Sequence, residues 1–224
     1  MSGLVYGLLW LFFNVSGRIL FRFKTVGREH IPKRGGVLVA ANHASYLDIP
    51  FLGSAIRRRV VFLGREDLFG FPGMRGIFRW LGWIPIRLDR LDREGFGQAI
   101  RLINDGKVVV IYPEGGRTRD GELNPGKPGV GLLVAATGCT VIPAYLAGTY
   151  EVLPITSSRI RLHPVTVRFG APIDFGADME RYTGKDLYRH VSRTIMERIA
   201  ELGDVPPPNG PSGREPATRS LNAE

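Results

Sequence analysis

The chain has 224 residues, of which 44% are hydrophobic and 23% charged. This length suffices for one large domain or two small ones. The composition excludes a mostly disordered or collagen-like chain. A single cysteine excludes an intramolecular disulfide framework and a Cys-rich zinc site, and it favours a reducing compartment.

The charge balance is strongly basic. Thirty basic residues oppose twenty-one acidic ones, giving a net charge of +9, and only five of the basic residues are lysines. Such a balance favours polyanionic partners: nucleic acid, an anionic membrane surface or a phosphorylated substrate. Because the basic residues are scattered and no recognised nucleic-acid motif accompanies them, we expect no nucleic-acid partner.

The chain begins with an uncharged apolar run, residues 4–13. As a helix this run would be about 15 Å long, half of a bilayer core of about 30 Å. Tyr6 and Trp10 lie among its aliphatic residues, where aromatic anchors are favoured at a membrane interface. No basic residue precedes the run, which argues against a secretory signal.

Three polar residues follow at intervals of four, Asn14, Arg18 and Arg22, and the spacing predicts one polar stripe on a helix. An apolar helix with such a stripe suits the membrane interface better than a membrane crossing. We therefore expect residues 1–24 to form an amphipathic membrane-associating segment. A helix packed on the protein's own core is the alternative.

Short apolar runs alternate with segments of helical periodicity through the middle of the chain, which predicts an α/β fold with a largely parallel sheet flanked by helices. We expect this domain to span residues 25–202, and the Pro- and Gly-rich residues 203–224 to be a disordered tail. The predicted strands are 36–41, 60–63, 83–86, 108–112, 141–146 and 165–169, and the predicted helices are 49–56, 74–81, 96–104, 130–137 and 186–202.

The first candidate site follows the strand that ends at Ala41 and contains His43 and Asp48. In a continuous helix these two residues would point about 140° apart. They can pair only if His43 stays in a loop and the helix begins near Asp48, a start that Pro50 supports because proline is tolerated in a first helical turn. Asp48 would then fix the imidazole tautomer and leave its other nitrogen to accept a proton. An ordinary N-cap at Asp48 beside a solvated His43 is the alternative.

The second candidate site follows the most apolar strand and reads Pro113-Glu114-Gly115-Gly116-Arg117-Thr118-Arg119. Two glycines allow a close backbone approach to a ligand, and exposed amides in such a turn can bind an anion. Arg117 and Arg119 would add charge-assisted hydrogen bonds to a phosphate. A glycine-rich turn with solvated charges is the alternative.

Other chemistries find little support in the sequence. Residues 121–127 match the first seven positions of a P-loop, but Pro128 replaces the required Ser or Thr. There is no G-x-S-x-G or H-E-x-x-H motif, and the histidines show no metal-ligand spacing. Cys139 lies beside an apolar strand, as a buried small residue does, so a covalent acyl-enzyme is disfavoured. We expect no metal.

Together the segments resemble the glycerolipid acyltransferase family, whose best-known members are the 1-acyl-glycerol-3-phosphate acyltransferases. One short block would be common by chance, but four in the family's order are not. The four blocks are Asn42-His43 with Asp48, Gly82 with Arg87, the segment Tyr112-Pro113-Glu114-Gly115-Gly116-Arg117, and Val141-Ile142-Pro143.

The resemblance implies that His43, oriented by Asp48, removes a proton from the hydroxyl of 1-acyl-glycerol 3-phosphate. The alkoxide would attack acyl-CoA or acyl-carrier protein in one direct transfer, giving phosphatidic acid with no further cofactor. Arginines would hold the acceptor phosphate, and Glu114 would orient the arginines or the glycerol. The residues implied to bind the acceptor are Arg65, Arg87, Glu114, Gly115, Gly116 and Arg117.

Two departures from the family pattern concern the acceptor side. Gly116 stands where threonine is usual, and Arg65 where lysine is usual. The acceptor therefore stays open: another lysolipid, glycerol 3-phosphate, or an aminoacyl or hopanoid-type lipid. A non-catalytic lipid-binding membrane protein is a further alternative, but binding alone needs no His/Asp pair. We expect a peripheral protein on the cytoplasmic face of an anionic membrane.

Overall fold

The computed structural model describes residues 3–65, 82–86 and 92–208, with the backbone alone for residues 3 and 65. The predicted helix 74–81, Arg87 and most of the predicted tail lie outside these described residues. The last described helix ends at Gly203, and the chain is then described as far as residue 208.

Seven strands form one sheet with the spatial order β1-β7-β6-β2-β5-β3-β4. Every neighbouring pair is parallel except β6 and β7, so the predicted largely parallel sheet is confirmed. The strands are β1 (Lys24–Val26), β2 (Val37–Ala41), β3 (Val60–Arg65), β4 (Trp83–Ile86), β5 (Val108–Ile111), β6 (Thr140–Ala147) and β7 (Thr166–Phe169).

Helices cover both faces of the sheet. The helices are α1 (Gly3–Phe21), α2 (Asp48–Ala55), α3 (Arg93–Asn104), α4 (Gly129–Thr137), α5 (Thr149–Val152), α6 (Gly176–Arg181) and α7 (Gly184–Gly203). One core packs beneath α2 and α5, and the other packs beneath α3, α4 and α7. Because β2 and β5 lie between the two cores, every one of their side chains is buried. This explains their unbroken apolar runs.

Helix α1 lies along α2, and polar side chains attach it to α2 and to the residues that follow α2. Tyr6 donates its hydroxyl to the Arg58 carbonyl at 3.2 Å, and the indole N–H of Trp10 donates to the Ile56 carbonyl at 3.1 Å. These two aromatic residues are half-buried and hold α1 against the domain. Their polar groups therefore bond to the domain, and their role as membrane anchors stays a prediction.

The predicted polar stripe on α1 is wrong. Asn14 is buried and donates to the Ser54 carbonyl at 2.9 Å, whereas Arg18 is exposed. Arg22 lies beyond the helix end, in a left-handed conformation with φ of 47°. The two sides of α1 differ in another way: one side packs on α2, and the other exposes large apolar residues. By length and composition, α1 could also cross a membrane.

Candidate active site

The two predicted sites meet at the edge of the sheet where the parallel strands β2 and β5 end. The loop after β2 carries His43, and the loop after β5 carries Glu114 to Arg117. Asn42 joins this edge to β6, because its side chain donates to the Leu146 carbonyl and accepts from the Leu146 N–H. The carboxyl ends of strands are the usual ligand-binding edge of an open α/β sheet.

His43 and Asp48 form a hydrogen-bonded pair. The imidazole Nδ1 lies 2.8 Å from Asp48 Oδ2, and the aspartate side chain is fully buried whereas the histidine is 14% exposed. His43 stays in the loop, and α2 begins at Asp48 with Pro50 in its first turn. The local structure is therefore the one that the spacing argument required.

The bonding of Asp48 determines which imidazole nitrogen carries the proton. The backbone N–H groups of Ala44 and Ser45 also donate to Oδ2, at 2.7 and 2.8 Å. Since this oxygen accepts all three bonds, Nδ1 of His43 is the protonated nitrogen. Nε2 is then the one left to accept a proton. The Tyr112 ring stacks on the imidazole, with centroids 4.0 Å apart, and restricts its rotation.

Glu114 connects the histidine loop to the glycine-rich turn. Its Oε1 accepts from the His43 N–H at 2.8 Å, and its Oε2 accepts from the backbone and side-chain nitrogens of Asn124 at 3.0 and 3.1 Å. A further bond runs from the Thr118 N–H to the His43 carbonyl. Both backbone groups of His43 are thus held by residues that follow β5.

The Glu114 carboxyl has a displaced pKa. Burial raises its pKa from the ordinary 4.5 to about 7, and the nearby Asp48 charge adds to the rise. The bonds from His43 and Asn124 act in the opposite direction, because they favour the ionised form. Burial is the larger effect.

We expect Glu114 to make stability depend on pH. Between about pH 4.5 and 7 the folded chain holds a proton on Glu114 that the unfolded chain has lost, so this group lowers the free energy of unfolding as pH rises. The shift corresponds to on the order of 3 kcal/mol. As pH is raised from 5 to 8, the free energy of unfolding of Glu114→Gln, measured in urea, should therefore increase relative to that of wild type.

Glu122→Gln is the control, since Glu122 is exposed on the segment that follows the same turn. The difference in the free energy of unfolding between Glu122→Gln and wild type should be equal at pH 5 and pH 8. Parallel pH curves for wild type and Glu114→Gln would contradict the raised pKa.

The turn after β5 is open on one side and filled on the other. Gly115 has φ of 73°, a left-handed conformation that favours glycine, and the Lys127 side chain fills the space where a Cβ would lie. A Cβ at Gly116 would meet nothing within 4 Å. The threonine that is usual in the family pattern would fit at this position, and its absence leaves open space beside the turn.

The Arg117 side chain extends from the turn to the histidine loop. Its guanidinium carbon lies 3.4 Å from the ring centroid of Tyr46, a residue between His43 and Asp48. One guanidinium nitrogen, Nη1, is buried without a hydrogen-bond partner among the described residues. This arrangement holds a cation beside the His43–Asp48 pair by a cation–π contact.

The comparisons with known proteins agree with this geometry. A family model described as Acyltransferase matches residues 22–147, more than half of the chain. The chain belongs to the acyltransferase family. The resemblance seen in the sequence is thereby confirmed.

Two curated relatives and one solved structure illustrate the similarity. The chain is 30% identical over 158 residues to the chloroplastic 1-acyl-sn-glycerol-3-phosphate acyltransferase BAT2 of Brassica napus, covering 69% of this chain and 45% of the relative. It is 22% identical to the enzyme of that name from Bacillus subtilis, covering 80% and 87%. The crystal structure of the 1-acyl-sn-glycerophosphate (LPA) acyltransferase PlsC of Thermotoga maritima matches with a TM-score of 0.71 and 25% identity, over 89% and 80%. The chain spans less than half the length of the Brassica relative.

The remaining residues predicted from the acyltransferase pattern are only partly described. The backbone of Arg65 ends β3 and pairs with Ile86 of β4, at the same edge of the sheet as the site. The Arg65 side chain and all of Arg87 lie outside the described residues. Among the described contacts, the hydrogen bonds of Glu114 run to His43 and Asn124 rather than to an arginine.

Several residues of the site were not predicted from the sequence. Tyr46 holds Arg117, Tyr112 stacks on His43, and Asn124 holds Glu114. Asn124 and Lys127 belong to the segment that resembles an incomplete P-loop. The polar residues of that segment were the one feature of the sequence that pointed to a role near the site. In the structure they contact the glycine-rich turn after β5.

An apolar cavity of ≈ 240 Å³ lies beneath α1, between α2 and the strands β3 and β4. Ile49 and Pro50, which directly follow Asp48, line one part of it. Its other walls include Leu9, Phe13, Phe62 and Trp83. An apolar space of this kind suits a hydrocarbon chain.

Proposed function

We propose that the protein transfers a fatty acyl group from acyl-CoA or acyl-carrier protein to the free hydroxyl of 1-acyl-glycerol 3-phosphate, giving phosphatidic acid. The observation that carries this proposal is the His43–Asp48 pair at 2.8 Å, joined through Glu114 to a glycine-rich turn that ends in Arg117. The named activity of the relatives supports the same acceptor.

In the proposed reaction, Nε2 of His43 accepts the proton of the acceptor hydroxyl. The oxygen attacks the thioester carbonyl and forms the ester bond, the carbon–sulfur bond breaks, and the departing thiolate takes the proton from His43. Asp48 stabilises the positive charge that the imidazole carries between the two transfers.

No enzyme nucleophile is needed in this scheme. Cys139 lies just before β6, at the opposite edge of the sheet from His43, and burial raises the pKa of its thiol. Direct transfer to the acceptor therefore agrees with the position of the one cysteine.

Phosphate recognition is assigned to the turn and its cations. Arg117 contributes a guanidinium whose Nη1 has no hydrogen-bond partner among the described residues, and Lys127 lies against Gly115. Arg65 and Arg87 join them in the proposal on the strength of the family pattern. The cavity beneath α1 is proposed to hold an acyl chain, because it is apolar and begins beside Asp48.

The proposed location is the surface of an anionic membrane on its cytoplasmic face. Tyr6, Trp10 and Asn14 hold α1 against the domain along its length, and its outer side is apolar. A helix attached in this way suits the membrane interface rather than a crossing.

The test is a lipid assay with the purified full chain. Radiolabelled acyl-CoA and acyl-carrier protein are offered with lysophosphatidic acid, other lysophospholipids and glycerol 3-phosphate in detergent micelles. We expect labelled phosphatidic acid from lysophosphatidic acid. A series of acyl donors of different length reports the capacity of the apolar cavity.

Product formation from another acceptor alone would replace the proposed substrate and keep the reaction. The open space beside Gly116 makes this the second candidate. Absence of transfer to every acceptor, with folded protein, would contradict the proposal.

A further inference from the structure

The exposed large apolar side chains are unevenly distributed over the described part of the chain. Most lie on the outer side of α1, three lie in the loop of residues 153–164, and Tyr46 lies beside the His43–Asp48 pair. Helices α3, α4, α6 and α7, which cover the opposite face of the sheet, contribute none. Apart from Val26 on the edge strand β1, the exposed large apolar side chains of the described residues thus lie on α1, in the 153–164 loop and at the mouth of the site.

The 153–164 loop joins α5 to β7, and its last part, which leads back toward β7, alternates basic and apolar residues: Arg159, Ile160, Arg161, Leu162 and His163. Ile160 is 59% exposed and Leu162 is 72% exposed. The loop contains no acidic residue. In an extended segment, alternate side chains point to opposite sides, so basic and apolar groups separate.

The loop is attached to the candidate site and to α1. Ser45, which lies between His43 and Asp48, forms a β-bridge with Pro154 and donates its hydroxyl to the Leu153 carbonyl at 2.8 Å. At the other end of the loop, the Val165 N–H donates to the Phe21 carbonyl at 2.9 Å. One rigid connection therefore runs from the last turn of α1 through the loop to the His43 loop.

We propose that the 153–164 loop is a second membrane-docking element, with the exposed Ile160 and Leu162 side chains inserted among the headgroups of an anionic bilayer and its arginines bound to lipid phosphates. The proposal rests on the proposed membrane-surface function. Three observations favour a lipid surface over a protein partner: continuity with the apolar side of α1, the positive charge without an acid, and the alternation of basic and apolar residues.

Two separate contacts fix an orientation that one helix cannot fix. A domain held by the apolar side of α1 alone can still tilt toward or away from the bilayer. The loop adds a second point of contact next to the His43 loop, because it is bonded to Ser45. With both elements docked, the mouth of the site faces the bilayer, which is where a lysolipid acceptor resides.

The experiment uses the full chain and sedimentation with vesicles of phosphatidylcholine containing 30% phosphatidylglycerol. Arg159→Ala with Arg161→Ala should lower the partition coefficient about thirtyfold, since each arginine near an anionic surface contributes roughly one factor of five. Ile160→Ser with Leu162→Ser should lower it roughly tenfold.

Arg189→Ala with Arg193→Ala is the matched control, because both arginines are 71% exposed on α7, on the opposite face of the sheet. This variant should partition like wild type. Equal losses in the control and the loop variant would show a diffuse charge effect and overturn the proposal.

Insertion itself is read from a fluorescent label. In a Cys139→Ala background, Leu162→Cys labelled with an environment-sensitive dye should show a blue-shifted emission on the anionic vesicles, and Arg189→Cys should not. An unchanged spectrum at position 162 on protein that sediments with the vesicles would mean that α1 docks alone, and would overturn the proposal.

Activity in detergent micelles separates the two proposals. The loop variants should retain wild-type turnover with micellar lysophosphatidic acid and lose turnover only on vesicles. Wild type without micellar activity would contradict the proposed function, whereas vesicle binding and the label would still decide the role of the loop.

Discussion

Replacing His43 with glutamine should lower kcat for acyl transfer by about 10²–10⁴-fold, which is the usual contribution of a general base. Glutamine is similar in size and polar, but it cannot accept a proton at neutral pH. The variant should keep most of the Tyr112 contact. KM for lysophosphatidic acid should change little, because the proposed phosphate-binding groups lie on the turn after β5.

The chain offers a matched control for this experiment. His190 on α7 and Asp178 on α6 form a second pair, also at 2.8 Å, and Tyr182 stacks on His190 much as Tyr112 stacks on His43. This second pair packs on the opposite face of the sheet, away from the strand ends. His190→Gln should therefore leave kcat unchanged.

Initial rates on micelles, with the circular dichroism of each variant as a check of folding, decide the outcome. Wild-type turnover in His43→Gln would remove the imidazole from the mechanism. Equal losses in His43→Gln and His190→Gln would show that both act through stability alone.

The strands were well predicted because their physical signal is local. Between two helical layers, β2 and β5 have no exposed face, and unbroken apolar runs with glycine or polar residues at their ends mark them in the sequence. Strand β1 was not predicted, because Lys24–Val26 is short and mostly exposed and becomes a strand only by pairing with β7. The four-residue α5 was missed because a single turn is too short to show helical periodicity.

The errors on α1 have a different cause. Periodicity places Asn14 and Arg18 near each other on a helix, but it does not say which side the domain covers. The buried Asn14 satisfies its amide on the Ser54 carbonyl, a partner 40 residues away. From the sequence alone, a buried polar residue with a distant hydrogen-bond partner cannot be distinguished from an exposed one.

The site also combines contacts that the local sequence predicts with contacts that depend on the tertiary structure. The pairing of His43 with Asp48 depends on five residues of local chain and a helix start, so it could be argued from the sequence. The bond from the His43 N–H to Glu114 joins residues 71 apart and depends on the adjacency of β2 and β5. That adjacency became known only from the sheet order, and with it the attachment of Glu114 to the histidine loop.

We expect Asp48→Asn to lower kcat about 10²-fold and to leave the imidazole tautomer unchanged. The backbone N–H groups of Ala44 and Ser45 require an acceptor at the Oδ2 position, so they orient the carbonyl oxygen of the new amide toward His43. Nδ1 therefore keeps its hydrogen-bond acceptor. What the variant loses is the negative charge that stabilises the imidazolium formed during transfer.

A measurement of the His43 tautomer distinguishes the effect of the Asp48 charge from the effect of Asp48 on the orientation of the imidazole. Side-chain nitrogen NMR of His43 should show the proton on Nδ1 in wild type and in Asp48→Asn, while the rates differ. Asp48→Ala should lose both effects and some stability, because it leaves the Ala44 and Ser45 N–H groups without their buried acceptor, at a cost of about 1–3 kcal/mol each. Asp178→Asn in the second pair is the control and should turn over like wild type. If Asp48→Asn instead retained full activity, the buried carboxylate would serve only to fold the loop, and the charge on Asp48 would have no part in the reaction.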